Sequence, residues 1–104
     1  MNERIEKLRS FLQQNPDDCF LNHALALEYI KLGNDVDAGE LFKKNMAWDE
    51  TYLATYYHYA KLLERLGDED KAIAVYEQGM KQSKQAGDNH TFSELRSAYE
   101  ELTF

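Results

Sequence analysis

The stretch KLGNDVDAGELFKK, Lys31 to Lys44, is met again 34 residues later as RLGDEDKAIAVYEQ, Arg65 to Gln78. Both carry Leu-Gly, then Asn or Asp, then an Ala, then an aromatic residue, at the same spacing. Gly33 and Gly67 supply a residue that tolerates the left-handed backbone ending a helix. Asn34 and Asp68 supply a side chain that caps the free amides of the next one. The stretch therefore reads as a helix end, a tight turn and a helix start, written twice.

Outside these turns the apolar residues keep helical spacing. Ile5, Leu8, Phe11 and Leu12 form one stripe, and Leu21, Leu25, Leu27, Tyr29 and Leu32 a second, broader one. Leu41, Phe42, Met46 and Trp48 follow. Tyr56, Tyr59, Leu62, Leu63 and Leu66, then Ile73, Val75, Tyr76 and Met80, then Phe92, Leu95, Tyr99 and Leu102 complete the series. Pro16 ends the first helix, and Asp17 or Asp18 caps the second. Asp49 is the expected cap of the fourth helix, and Thr91 with Glu94 has capping-box spacing for the sixth. The spacing predicts six helices, over roughly 2–14, 18–32, 35–47, 51–66, 69–85 and 90–102. Turns this short make neighbouring helices antiparallel. One helical hairpin cannot cover both its faces, so hairpins must stack. The expected fold is all-α, a single domain over 1–104.

Composition narrows the function. A formal charge of −7, from 12 Lys and Arg against 19 Asp and Glu, opposes a phosphate backbone and an anionic membrane surface. The acidity reads as solubility, or as adaptation to salt. No apolar run approaches the length of a membrane span, and the charged opening MNERIEKLRSFL is not a secretory leader. A single cysteine, Cys19, forms no intrachain disulfide and points to a reducing, cytoplasmic setting. Two nearby carboxylates, Asp17 and Asp18, oppose its activation as a nucleophile. His23, His58 and His90 lie more than 30 residues apart, so no metal is expected. Glycine-rich phosphate loops and nucleophile elbows are missing, so neither an enzyme nor a cofactor is expected.

The repeated residues resemble the tetratricopeptide repeat, a 34-residue helix–turn–helix unit. From Cys19 onward, Leu25, Ala26, Tyr29, Gly33, Ala38 and Phe42 fall on the family's pattern, and Trp48 stands where the family usually has Leu, which implies a core residue. From Leu53 onward, Tyr56, Tyr59, Ala60, Leu63, Gly67, Ala72, Tyr76 and Gly79 do so without a gap. Asn22, Asn45, Glu50 and Lys84 depart from it, standing for a large residue, a small residue and two prolines. The resemblance implies a right-handed superhelical stack of antiparallel hairpins. It divides the chain into a half-repeat helix at 2–16, repeats at 19–52 and 53–86, and a capping helix at 89–103.

The resemblance also implies a function: a protein-interaction module or scaffold, binding a peptide or partner protein in a concave groove lined by the first helices of the repeats. Groove positions hold Phe20, His23, Leu27, Ile30 and Lys31, then Ala54, Tyr57, His58, Lys61, Glu64 and Arg65, then His90, Ser93, Glu94 and Ser97. Among them Phe20, His23, Leu27, Tyr57, His58, Lys61, Arg65 and His90 are the candidate partner contacts. Phe20, Leu27 and Ile30 also fit plain packing within the stack. The family's clamp for chaperone tails needs Lys and Asn where His23, Leu27, His58, His90 and Glu94 stand, which excludes that ligand. The histidines allow partner binding to depend on pH. The alternative function is a homo-oligomeric structural subunit.

Overall fold

A computed structural model describes residues 2–104. Among them it has six helices: α1 (Glu3–Gln14), α2 (Cys19–Lys31), α3 (Asp35–Trp48), α4 (Ala54–Arg65), α5 (Glu69–Ala86) and α6 (Asn89–Thr103). They fall into two compact units, divided between Tyr52 and Leu53.

In the first unit α2 packs against both α1 and α3. Ile5 and Leu8 of α1 are buried, and Arg9 donates through Nε (3.0 Å) to the Tyr29 hydroxyl. Glu28, itself buried, accepts from Arg4 (3.3 Å) and Lys31 (3.0 Å). Those two cations, the Lys31 hydrogen bond foremost, hold its carboxyl below the ordinary glutamate range. A carboxylate depressed in the fold stabilises above the ordinary range and loses that contribution as pH falls through its folded value. Glu28→Gln is therefore expected to lower the urea midpoint at neutral pH. The gap from wild type should close as pH drops below about 4, and a gap independent of pH would contradict the assignment.

Ala26 and Ala38 are fully buried, as small residues must be where α2 and α3 approach. Phe42 is fully buried too. Asn22 and Asn45, the two departures from the repeat pattern that fall inside helices of this unit, are buried and tie the backbone. Asn22 Nδ2 donates to the carbonyls of Pro16 (3.2 Å) and Asp18 (3.1 Å), and Asn45 Nδ2 to that of Cys19 (2.9 Å).

The second unit places α5 between α4 and α6. Tyr56, Ala60, Leu62, Ala72, Tyr76 and Leu95 are fully buried. Gly79 lies against Tyr56 and Leu95 so closely that a Cβ there would stand 2.6 Å from the Tyr56 Cβ.

The repeated turn does what its letters say. Gly33 and Gly67 have φ of 81° and 82°. After each, the Asn34 amide bonds the Tyr29 carbonyl (2.8 Å) and the Asp68 amide the Leu63 carbonyl (2.9 Å). This closes the last turn of α2 and of α4 in the same way. Asp18, Asp68 and Asp88 accept from the amides of Leu21, Lys71 and Thr91, each cap being worth about 1 kcal/mol. Asn34 makes no side-chain cap bond.

Three expectations are corrected. Asp49 does not open α4. Its carboxylate takes the Thr51 amide (3.0 Å) and its carbonyl the Tyr52 amide (3.1 Å), forming a turn that delays α4 to Ala54. Asp88, not Thr91, caps α6, and the Thr91 hydroxyl reinforces it (2.8 Å). Trp48 is not core but 44% exposed. The buried stripe of α3 runs Ala38, Phe42, Asn45, and continues by helical spacing to Asp49 rather than Trp48.

Candidate functional site

In α4 the buried face is made by Thr55, Tyr56, Tyr59, Ala60, Leu62 and Leu63. Helical geometry then turns Tyr57 and Lys61, one turn apart, the other way. On α6, Leu95 and Ala98 are buried, while His90, Glu94, Ser97 and Glu101 follow one another at intervals of four, three and four along a single stripe. These two faces enclose a cleft of about 390 Å³, lined by Tyr57, Lys61, His90, Ser93, Glu94, Ser97, Ala98 and Glu101. A second cleft of about 570 Å³ shares Tyr57 and Glu94 and adds Leu53, Ala54, His58, Asp88 and Thr91.

The cleft wall is held from behind. The Tyr76 hydroxyl donates to the Glu64 carboxylate. Burial, and then that carboxylate, push the Tyr76 phenol far above its ordinary value, so it stays protonated and keeps donating. Glu64 in turn stands 3.7 Å from the Lys61 ammonium, which lies 5.7 Å from the centre of the Tyr57 ring. The Tyr57 ring meets the His58 ring edge-on at 84°. Lys61 is thus positioned by a carboxylate and an aromatic face together.

Burial lowers the pKa of His58, with Glu94 opposing the shift, so the ring is neutral at neutral pH. Along the α6 wall His90 Nε2 stands 3.7 Å from Glu94 Oε1, one turn further on the same helix.

The structure brings Tyr57, Lys61 and His90 together in one cleft, and His58 into the adjoining one. Arg65 is exposed and lines neither. In the first unit Phe20 is 64% exposed and Leu27 partly so. His23 is not a surface residue: it is 8% exposed, its ring 5.8 Å from Phe42 and 5.9 Å from Tyr52. The reason is that α2 is buried on most of its circumference, from Asn22 through Ala26 and at Glu28 and Tyr29. Glu101 and Ala98 escaped the sequence reading as cleft residues. The spacing of Glu101 from His90, Glu94 and Ser97 carried the signal.

The thiol of Cys19 is raised, first by burial and then by Asp49, Asp18 and Asp17, and so is held in its unreactive protonated form. Among the described residues no three His, Cys, Asp or Glu side chains are grouped so as to hold a metal ion. No helix among them is long and apolar enough to cross a membrane.

Known proteins with the same architecture are recognisable. A crystal structure of a tetratricopeptide repeat domain protein from Salinibacter ruber is 38% identical, covering 83% of this chain and 96% of that one, with a TM-score of 0.79. A solution structure of a tetratricopeptide repeat domain protein from Salinibacter ruber is 39% identical over 84% of this chain and 88% of that one, with a TM-score of 0.81. A protein from Bordetella parapertussis shares the fold at 24% identity, covering 99% of this chain and 90% of that one, with a TM-score of 0.83. No family model and no curated protein matches the chain.

Proposed function

This chain belongs to the tetratricopeptide repeat family, and we propose that it is a protein-interaction module whose ligand site is the α4–α6 cleft of the second unit. The ligand is an extended peptide segment of a partner protein. One observation carries this reading: a Lys61 ammonium fixed between Glu64 and the Tyr57 ring, facing the Ser93 and Ser97 side of α6 across the cleft. An aromatic face gives apolar contact area at small entropic cost. An ammonium and hydroxyls beside it serve the carbonyls of a peptide backbone. The wall is pre-positioned by Tyr76 and Glu64, which reduces the ordering cost of binding.

The test is selection of a phage-displayed peptide library on the wild-type protein, followed by calorimetry of the enriched peptide. Tyr57→Ala should weaken binding on the order of tenfold, and Ser97→Ala by less, while the helical circular dichroism spectrum is unchanged. Enriched peptides that bind both variants as tightly as wild type would show that the ligand lies outside the cleft.

A further inference from the structure

The cleft has a polarity along α6 that selects its ligand, a selection that rests on the cleft being the peptide site. Glu94 and Glu101 both line it. They lie seven residues apart on one helix, two turns, so their carboxylates recur on the same face about 10 Å apart. The charge of the cation on the opposite wall is offset by a carboxylate of its own, since the Lys61 ammonium sits 3.7 Å from Glu64 and over the Tyr57 ring, and its remaining donors are left for backbone carbonyls. The other lining base, His90, faces Glu94 at 3.7 Å, and Asp88 adds a third acid at the end shared with the adjoining cleft. The chain as a whole carries a formal −7, so its field favours approach by a cation as well.

We infer that the α4–α6 cleft takes a basic peptide segment in extended conformation, with two Lys or Arg residues three positions apart. An extended polyproline-type chain has three residues per turn and rises about 3.1 Å per residue. Residues three apart therefore point the same way about 9 Å apart, which matches the separation of Glu94 and Glu101. One cation meets Glu94 and the other Glu101. The methylene stem of the first lies along the Tyr57 ring, and Ser97, between the two acids on the stripe, is left for the backbone.

The test uses fluorescently labelled synthetic peptides of neutral background, read by polarisation. One carries two lysines three residues apart, one has both lysines replaced by glutamate, and one places the lysines five apart. The lysine peptide with spacing three is expected to bind tightest, and to weaken steeply with added salt. Glu94→Gln and Glu101→Gln should each weaken it about threefold, and the double variant about tenfold, as exposed ion pairs do. Both residues are surface-exposed, so the variants should keep the wild-type melting curve. Equal binding of the two lysine spacings would overturn the register, and lysine-peptide affinity unchanged in the double variant would overturn the assignment of the acids. Preferential binding of the glutamate peptide, still lost in Tyr57→Ala, would overturn the cationic ligand and leave the cleft as the site. No peptide responding to Tyr57→Ala would overturn both.

Discussion

Gly79→Ala destabilises the protein by about 2 kcal/mol, although alanine is the better helix former. The expectation rests on three distances. The added methyl would stand 2.6 Å from Tyr56 Cβ, 2.8 Å from Tyr56 Cγ and 2.9 Å from Leu95 Cδ1. The first of these atoms belongs to the root of a side chain and cannot swing away. Relief requires α4 to move off α5, and the fully buried Tyr56 and Leu95 resist that. Overpacking of a tight interior costs about 1–3 kcal/mol and occasionally more, against a helix-propensity gain of at most about 1 kcal/mol. A urea titration followed by circular dichroism gives the answer. A midpoint equal to or above wild type would mean that α4 and α5 are not this close.

A larger loss, about 3–5 kcal/mol, is expected for Tyr76→Ala. Tyr76 is fully buried on α5, so truncation leaves a cavity as well as losing apolar burial. It also removes the donor that Glu64 accepts. Set against a typical total of about 5–15 kcal/mol, that loss leaves a protein close to its unfolding threshold. Tyr76→Phe separates the two effects. It keeps the ring and removes the hydroxyl, and should cost only about 1 kcal/mol. Because Glu64 then loses its buried partner and keeps Lys61 at 3.7 Å, the Phe variant should also change affinity for the enriched peptide. Tyr76→Ala with an unchanged urea midpoint would contradict the burial, and Tyr76→Phe as costly as Tyr76→Ala would assign the loss to the hydroxyl instead of the ring.

Much of this architecture was legible in the order of the residues. The turns at Leu32-Gly33-Asn34 and Leu66-Gly67-Asp68 announce themselves because a left-handed glycine followed by a polar residue has few other uses. Ala26, Ala38, Ala60 and Ala72 were marked by their places in the repeat pattern, and all four are fully buried, as small residues at a close helix approach must be. Where side chains have two legitimate uses, the order of residues did not decide between them. Asp49 has the chemistry of a helix cap and spends it on Thr51 and Tyr52. Thr91 has it too, and defers to Asp88. Trp48 is apolar enough for a core, but sits off the stripe of Ala38, Phe42 and Asn45.

The site divides along the same line. On α4 one face is apolar and tyrosine-rich and the other mixed, so Tyr57 and Lys61 separate cleanly from Tyr56 and Tyr59. On α2 apolar residues lie on every face, and periodicity alone could not show that His23 turns inward while Phe20 stays exposed. Glu101 was hidden for a third reason. A glutamate near the end of a terminal helix reads as a solvated residue until the helix opposite is known.

The central claim, that the ligand lies between α4 and α6, is tested most directly by a backbone-amide chemical-shift titration of the full chain with the library-enriched peptide. The expected result is that the largest shifts cluster at Tyr57 and Lys61 on α4 and at Ser93, Ser97 and Glu101 on α6, with α1 and α3 unmoved. Largest shifts on α1, α2 or α3, with those five residues still, would contradict it.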